Sequence, residues 1–298
     1  MTPPMTLPFP PLGPVPSLMS QVKMSDEEFR LLRSFIYEET GIYFQDTKKY
    51  LLEGRLGKRV QALNLRSFQE YLQLVRYGSR RSEEMRYFYD TITINETFFF
   101  RNEPQFEAFE RTIVPDILNA RQVSGRQKIR VWSAASSSGE EAHTLGMIYL
   151  EKLKPRFPGL EMEIVGTDIN SGVLATAKSG LYREYSIRNM PKAYLQKYFV
   201  AYDGRYQIND DVRRLVRFES VNLFDRVQMR RMSSFDIVFC CNVLIYFDTK
   251  SKIQVVGGLY DSLNRGGHLF IGYAESLHGI STAFKLVSFP KTVAYKKE

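Results

Sequence analysis

The chain has 298 residues, of which 44% are hydrophobic and 25% charged, a composition that suits a folded protein with an apolar core. No apolar run approaches the ~18 residues of a membrane-spanning helix, and the first twenty residues, with seven prolines and no charge, are unlike a secretory signal. The two cysteines, Cys240 and Cys241, are adjacent and give no metal-ligand spacing, so we expect a cytoplasmic protein without a metal site. The net charge of +8 predicts an acidic partner, which leaves nucleic acid, an anionic membrane surface and an acidic protein open.

The first part of the chain predicts a tail followed by helices. Residues 1–20 are Pro-rich and aperiodic and are interpreted as a disordered tail. A capping box of Ser25 and Glu28 predicts the start of a helix, and Gly41 predicts its end. Apolar residues at helical spacing predict three more helices, at about 46–63, 67–77 and 82–94. Residues 21–94 are therefore predicted to form a small all-helical domain.

The pattern then changes to short apolar strands alternating with helices over residues 128–298, after a junction and connecting helix at 95–127. The predicted strands are 129–133, 162–167, 215–219, 235–241, 268–274 and 291–296, with helices at 140–153, 170–179 and 249–264. This alternation predicts an α/β fold with a mostly parallel, Rossmann-like sheet covered on both faces. The last two strands are predicted to form an antiparallel hairpin at one edge. Residues 181–217 interrupt the pattern and are interpreted as an inserted antiparallel β-subdomain.

The loop after the first predicted strand is made of small residues and ends in two acidic ones, reading Ser-Ala-Ala-Ser-Ser-Ser-Gly-Glu-Glu over residues 133–141. In doubly wound sheets, ligands bind at the carboxyl ends of strands, and small residues let a ligand approach the backbone. Glu140 and Glu141 would repel a phosphate, and the Gly-rich phosphate-binding motifs are absent. The loop therefore suits a cationic or zwitterionic ligand, such as a sulfonium amino acid. The alternative, which we weigh equally, is that the two glutamates only stabilise the N-terminus of the following helix.

Three further segments carry polar residues at similar places. Asp168 follows the second strand of the α/β part, where a carboxylate can accept the hydroxyls of a ribose or cap a helix. Asn242 lies just past the buried strand 235–241, and Tyr246, which alone is more typical of a packed core residue, follows it. Residues 95–101 read Asn-Glu-Thr-Phe-Phe-Phe-Arg, and their polar members indicate a site at the domain junction.

In this order, these segments resemble the chemotaxis-receptor methyltransferases of the CheR family, from about residue 24 to the end of the chain. The shared motifs are Asn-x-Thr-x-Phe-Phe-Arg, Trp-Ser-Ala with Ser-x-Gly-Glu-Glu, Thr-Asp-Ile, Asn-Leu, and Phe-Asp-x-Val-Phe-Cys-x-Asn-Val-x-Ile-Tyr-Phe. The resemblance implies a methyltransferase that uses S-adenosylmethionine (SAM), releases S-adenosylhomocysteine, and esterifies glutamate side chains of methyl-accepting chemotaxis proteins. The chain departs from the family at a few positions: Asn102, Ser136, Ala142, His143 and Cys241, the last standing where an Arg is usual.

The same resemblance implies a cofactor site built from every motif. Its predicted residues are Asn95, Thr97, Arg101, Glu141, Asp168, Asn222, Leu223, Cys241 and Asn242. Glu141 would hold the methionine ammonium group and Asp168 the ribose hydroxyls. Asn222 and Leu223 would flank the adenine, and Asn242 would lie near the methionine moiety.

For the substrate, the resemblance implies that Arg101 and Tyr246 orient the incoming glutamate, and these are the predicted catalytic residues. A glutamate side chain, with a pKa near about 4.3, is already ionised at neutral pH, so the transfer needs no general base. Lys48, Arg55 and Arg59 fall on one face of the second helix and are predicted to dock the acidic methylation helices of the receptor. A solvated charged face is the alternative.

Two other functions remain open from the sequence. The departures from the family pattern favour a non-catalytic SAM-binding signalling module, whereas the presence of Arg101 and Tyr246 argues against it. A nucleic-acid methyltransferase would normally carry an Asn/Asp-Pro-Pro-aromatic motif where this chain has Asn242-Val-Leu-Ile, so we expect no nucleic-acid partner. Because no apolar run is long enough to span a membrane, we also expect no membrane insertion. Some family members grip a peptide at the receptor's tail through a loop of the β-subdomain. A tight turn predicted at Asp203 and Gly204 leaves no room for that loop, so we expect no dependence on the peptide.

Overall fold

The computed structural model describes residues 22–121 and 127–298. The Pro-rich tail predicted over residues 1–20 lies outside the described residues, and so do residues 122–126 of the predicted junction. No helix in the described part of the chain is long and apolar enough to cross a membrane.

From residue 22, where the description starts, four helices form the N-terminal part: α1 Asp26–Thr40, α2 Lys49–Ala62, α3 Phe68–Tyr77 and α4 Arg81–Ile92. The predicted capping box is present, because Ser25 Oγ accepts the N–H of Glu28 and the Glu28 carboxylate accepts the N–H of Ser25. Gly41 ends α1 in the left-handed region, at a φ of 71°. A 3₁₀ turn, Asp46–Lys48, precedes α2, so the α-helix begins later than predicted. The apolar faces of the four helices enclose one hydrophobic core.

The described residues form ten strands: β1 Lys128–Ala134, β2 Glu161–Asp168, β3 Leu181–Tyr182, β4 Phe199–Tyr202, β5 Arg205–Ile208, β6 Val216–Ser220, β7 Phe235–Cys240, β8 Leu263–Ile271, β9 Phe284–Phe289 and β10 Thr292–Lys297. Seven of them form one sheet in the order β6-β2-β1-β7-β8-β10-β9. The first five in this order are parallel neighbours, and β10 runs antiparallel to both β8 and β9. The chain winds outward from β1 to β6 and then returns to place β7 beside β1, so the strand order reverses there. Ligands bind at such a reversal in open α/β sheets.

The helices of this part are α5 Glu103–Ala108, α6 Val114–Arg121, α7 Glu140–Ile148, α8 Lys154–Arg156, α9 Ser171–Ser179, α10 Glu184–Ile187, α11 Lys192–Tyr198, α12 Asp210–Arg213, α13 Arg226–Met229 and α14 Thr249–Ser262. One π-helical turn, Phe109–Ile113, joins α5 to α6, and another, Tyr149–Leu153, joins α7 to α8. Two large hydrophobic cores lie on opposite faces of the sheet. The predicted doubly wound α/β fold is therefore confirmed.

The antiparallel edge of the sheet differs from the prediction. The last two predicted strands, β8 and β10, do pair antiparallel, but β10 forms its hairpin with β9, which the sequence pattern did not predict. Exposed and half-buried residues alternate irregularly along β9, with Lys285 and Leu286 exposed, so it lacks the continuous apolar run of a buried strand. The predicted hairpin of the last two strands was therefore wrong, and β9 is the edge strand.

The interruption in the strand–helix pattern contains a separate antiparallel sheet in the order β3-β5-β4. Asp203 and Gly204 connect β4 to β5 with φ values of 45° and 68°, the conformation of a two-residue hairpin turn. The core of this β-subdomain includes Phe99 from the junction. Its ring makes T-shaped contacts with Tyr182 at 4.8 Å and with Phe199 at 5.2 Å between centroids. The junction segment is thus anchored in the subdomain.

The helical domain sits over the carboxyl ends of the parallel strands. Asn222, just beyond β6, donates its side-chain N–H to the backbone carbonyl of Glu39 at 2.7 Å. The backbone N–H of Tyr43 donates to the carbonyl of Tyr246 at 2.9 Å. Helix α4 also packs against α9. These contacts enclose the space between the helical domain and the sheet.

Candidate cofactor and substrate crevice

A cavity of about 780 Å³ lies between the helical domain and the carboxyl ends of β1, β2 and β7. It is lined by all the predicted cofactor contacts, by the second predicted catalytic residue and by one predicted docking residue: Asn95, Thr97, Arg101, Glu141, Asp168, Asn222, Leu223, Cys241, Asn242, Tyr246 and Lys48. Arg55 and Arg59, the other predicted docking residues, line a shallow groove on the helical domain instead. The fold therefore brings together residues that are up to 198 positions apart, Lys48 and Tyr246. Most of them lie in loops at one edge of the parallel sheet, as expected.

Asp168 ends β2 and places a buried carboxylate in the cavity wall. One of its oxygens accepts the backbone N–H of Ser137, and the other accepts that of Asn170, both at 2.9 Å. Burial raises the pKa of Asp168 to about 6, against the opposing effect of these backbone donors. Each carboxylate oxygen can accept more than one hydrogen bond. Asp168 therefore fixes the loop after β1 and can still accept hydroxyls of a ligand.

Glu141 lies in the first turn of α7 and also lines the cavity. Its carboxylate accepts a hydrogen bond from Ser133 Oγ at 2.7 Å and interacts with the thiol of Cys241. Burial raises the pKa of Glu141 to about 7, although the hydrogen bond from Ser133, the nearby Cys241 thiol and the positive charge of Arg101 oppose the shift. A cation bound beside this carboxylate would favour its charged form, so the site is matched to a positively charged group.

Three buried side-chain oxygens of cavity-lining residues have no hydrogen-bond partner within the described residues: Ser136 Oγ, Ser137 Oγ and Asn242 Oδ1. A buried polar atom without a partner costs about 1–3 kcal/mol, which a bound ligand can recover. Strain accompanies these atoms, because Ala135, Ser137 and Asn242 have φ values of 54°, 52° and 62°. Non-glycine residues at positive φ cluster at binding sites, where the strain presets the geometry.

Asn242 is held in this conformation by residues that the sequence analysis missed. Glu275 accepts the backbone N–H of Asn242 at 2.9 Å and that of Ile245 at 3.2 Å. A Cβ atom at Gly272 would lie 2.8 Å from the backbone nitrogen of Asn242, so only glycine fits there. Gln105, on α5, is buried and accepts the thiol hydrogen of Cys241 at 3.2 Å. Contacts of this kind have no local sequence signature.

The predicted adenine contacts, Asn222 and Leu223, are buried beyond the end of β6. The amide group of Asn222 is engaged on both sides, because it donates to the carbonyl of Glu39 and accepts the N–H of Phe224 at 3.0 Å. Asn222 therefore holds the helical domain to the end of β6. Leu223 adds apolar surface to the same wall of the cavity.

The two predicted catalytic residues, Arg101 and Tyr246, also line the cavity. Arg101 donates to the backbone carbonyl of Glu96 at 2.6 Å, and its guanidinium carbon lies 5.7 Å from the centre of the Phe98 ring. Tyr246 ends a 3₁₀ turn beyond β7, and burial raises the pKa of its hydroxyl, with Arg101 opposing the shift. Asn95 donates to Thr93 Oγ1 at 3.2 Å. The side chains of Arg101 and Tyr246 both contribute to the cavity wall as potential donors.

The predicted basic docking face is only partly available. Arg59 forms a two-pronged ion pair with the buried carboxylate of Glu84, at 2.8 and 2.6 Å. Its guanidinium also lies 3.9 Å from the centre of the Tyr87 ring. Arg55 donates to the carbonyl of Ile92 at 2.9 Å and so caps the end of α4. Both residues hold α2 against α4. The fold thus engages Arg55 and Arg59 within the helical domain, and their role in docking the receptor stays a prediction.

His143, one of the departures from the family pattern, is buried against the β-subdomain. Its Nδ1 lies 2.7 Å from the hydroxyl of Tyr182, which in turn donates to the carbonyl of Ser138 at 2.9 Å. Burial lowers the pKa of His143 to about 3, so the ring is neutral at physiological pH. This pair links α7 to β3 and lies outside the cavity wall.

Known protein families and individual proteins match this chain over both the helical domain and the α/β domain. A family model described as "CheR methyltransferase, SAM binding domain" matches residues 95–293, and one described as "CheR methyltransferase, all-alpha domain" matches residues 27–93. Chemotaxis protein methyltransferase 2 of Vibrio cholerae is 36% identical over 94% of this chain and 96% of its own length. Chemotaxis protein methyltransferase 1 of Pseudomonas aeruginosa is 32% identical over 91% and 98%, respectively. The chemotaxis protein methyltransferase of Borreliella burgdorferi is 30% identical over 87% and 91%.

Proposed function

Because the chain belongs to the CheR methyltransferase family and is a SAM-dependent methyltransferase, we propose that it methylates glutamate side chains on the cytoplasmic helices of a chemoreceptor. One observation carries this proposal. The cavity lining combines a carboxylate, Glu141, and the unpartnered side-chain oxygen of Asn242 with a cation, Arg101. A sulfonium amino acid suits the carboxylate, and a carboxylate substrate suits the cation.

The residues present fit SAM. Glu141 would hold the ammonium group, and the unpartnered oxygen of Asn242 would accept a second hydrogen bond from the methionine moiety. Asp168, with free acceptor capacity on both oxygens, would take the ribose hydroxyls. Asn222 and Leu223, beyond the end of β6, would flank the adenine. Asn95, Thr97 and Cys241 complete the lining.

When bound, SAM supplies a methyl group on a sulfonium, and its transfer to a carboxylate cancels one positive and one negative charge. The protein therefore has to align the two reactants and keep water out. Arg101 and Tyr246 would align the substrate, as donors to the one carboxylate oxygen of the glutamate that does not attack. No side chain has to remove a proton, because the substrate is ionised at neutral pH.

The substrate would approach over the rim near Lys48, which is exposed and lines the cavity. The +8 charge of the chain favours an acidic helix as the partner.

The tight turn at Asp203 and Gly204 supports a mode of docking that does not use a peptide at the receptor's tail. Removal of the last few residues of the cognate receptor should leave the methylation rate unchanged, since a tether raises only the local concentration. A several-fold loss, or binding of the isolated peptide in calorimetry, would overturn this part.

The proposal is tested by incubating the protein with methyl-labelled SAM and, in separate reactions, with receptor-containing membranes or duplex DNA. We expect label in the receptor and none in DNA. The Arg101→Ala variant serves as the control for transfer that the site does not catalyse. SAM binding without transfer to the receptor would favour a non-catalytic module, and labelled DNA would favour a nucleic-acid methyltransferase.

A further inference from the structure

The segment that leads to Arg101 is held at its exposed side by the β-subdomain. Arg188, which follows α10, places its guanidinium between two aromatic rings, 3.6 Å from the centre of Phe98 and 3.6 Å from the centre of Tyr185. It also donates to the carbonyl of Tyr185 at 2.8 Å. We name Arg188 and Tyr185 together the α10 clamp.

The α10 clamp engages a carboxylate at the rim of the cavity. The hydroxyl of Tyr185 donates to Glu96 Oε1 at 2.6 Å, and a guanidinium nitrogen of Arg188 lies 3.8 Å from the same oxygen. The side chain of Glu96 is 61% exposed, yet two residues from another element fix its direction. A carboxylate on the surface would otherwise be free to rotate.

Arg101 is near enough to compete for this carboxylate. Its guanidinium donates to the backbone carbonyl of Glu96 at 2.6 Å, so both groups belong to one tight bend. The hydrogen bond from Tyr185 is the largest cause of the lowered pKa of Glu96, and the charges of Arg101 and Arg188 lower it further. A carboxylate on the same chain has a high effective concentration and would compete with an incoming glutamate.

We propose that the α10 clamp is a positioning device that turns the Glu96 carboxylate away from Arg101 and so keeps Arg101 free for the substrate glutamate. This inference rests on the proposed function. It assigns the β-subdomain a role in the active site that does not involve a tethering peptide. The expected effects are modest, because exposed ion pairs contribute little free energy.

Kinetics of four variants on receptor membranes test the proposal. Arg188→Ala should raise KM for the receptor about fivefold and leave kcat and SAM affinity unchanged, because Glu96 then occupies Arg101. Glu96→Gln alone should behave as wild type, and the double variant Arg188→Ala/Glu96→Gln should return to within about twofold of wild-type KM. Arg183→Ala, an exposed arginine of the same subdomain, is the matched control. If the Glu96 substitution does not relieve the Arg188→Ala defect, the clamp is only structural and the proposal fails.

A second measurement needs no receptor, so it separates this inference from the proposed function. Phenylglyoxal modifies accessible arginines, and peptide mass spectrometry reports the rate at Arg101. Arg188→Ala should slow modification of Arg101, and adding Glu96→Gln should restore it. Equal rates in wild type and Arg188→Ala would overturn the proposal, even if the receptor is methylated. Conversely, the expected reactivity pattern without receptor methylation would leave the clamp intact and contradict the substrate assignment.

Discussion

The cavity and the basic face of α2 were both predicted as functional from their polar residues, yet the fold treats them in opposite ways. In the cavity, buried oxygens of Ser136, Ser137 and Asn242 have no partner among the described residues. On α2, Arg59 is paired with Glu84, a carboxylate that is only 6% exposed. Several unpartnered polar atoms on residues that line one cavity indicate a ligand site, whereas a charge that the fold has paired indicates a structural role.

This contrast predicts that a charge on α2 can matter more for stability than for catalysis. Arg59→Ala leaves the buried Glu84 carboxylate without its cation, so we expect the free energy of unfolding to fall by about 3 kcal/mol. SAM affinity below the unfolding temperature should be unchanged. Chemical denaturation measures the loss, and Arg80→Ala is the control, because its ion pair with Glu83 is exposed. Equal, small losses for the two variants would remove the distinction.

The corresponding test in the cavity is Asp168→Ala. We expect at least a tenfold loss of SAM affinity, on the order of the ~1.5–3 kcal/mol of a charged hydrogen bond. Part of the loss would arise because Ser137 and Asn170 lose their acceptor. Calorimetry measures the affinity, and Asp211→Ala provides an exposed aspartate for comparison. Unchanged affinity would remove Asp168 from the cofactor site.

The raised pKa of Glu141 makes SAM binding depend on pH. The carboxyl group faces Ser133, Cys241 and Arg101, with Glu275 nearby raising its pKa further. With a pKa of about 7, Glu141 is mostly protonated at pH 6, and binding of an ammonium group expels that proton. SAM affinity should therefore rise about fivefold from pH 6 to 7 and about tenfold by pH 8, and then level off.

The raised pKa of Glu141 leads to two further predictions, one on proton release when SAM binds and one on stability. Calorimetry at pH 6 in buffers of different ionisation enthalpy should detect proton release in the wild type and less of it in Glu141→Gln. In the unliganded protein the raised pKa favours folding at low pH. This contribution should be lost as the pH rises from the ordinary value of 4.5 through about 7. Proton release that is equal in both proteins would assign the titration to another group.

The smallest expected effect concerns two lysines near α2 that form no ion pair within the described part of the chain. Lys48 lies at the rim of the cavity and Lys58 in the shallow groove, both exposed. The double reversal Lys48→Glu/Lys58→Glu should slow receptor methylation by roughly two- to fivefold at low salt, and less at high salt. Lys152→Glu/Lys154→Glu changes charge equally away from the cavity and should not slow it. If both double variants methylate the receptor at equal rates at low salt, Lys48 and Lys58 are solvated surface charges and the prediction is wrong.

The sequence predicted what local chemistry determines. The Ser25 capping box and the Gly41 helix end depend on neighbours within a few residues, and both are present. The positions of Glu141, Asp168 and Asn242 followed from one topological rule, that the loops after parallel strands meet at one edge. Their common location in the cavity therefore needed no knowledge of side-chain packing.

The sequence could not predict contacts between distant elements. Glu84 is 25 positions from Arg59, and no pattern marks the two as partners. Glu275 and Gly272 shape the Asn242 turn through backbone contacts that only the folded chain creates. Strand β9 was missed because an edge strand can remain polar and still pair. Tertiary contacts thus decide which charges are structural and which stay available.

The most direct test of the account is to find the chemical bond that the enzyme makes. Receptor methylated in the presence of SAM is digested, and peptide mass spectrometry locates the added methyl groups before and after mild alkali. The account predicts methyl groups on glutamate side chains of the cytoplasmic helices, lost in alkali as expected for carboxylate esters, and absent with Arg101→Ala. Alkali-stable methylation, or methyl groups on another residue type, would contradict it.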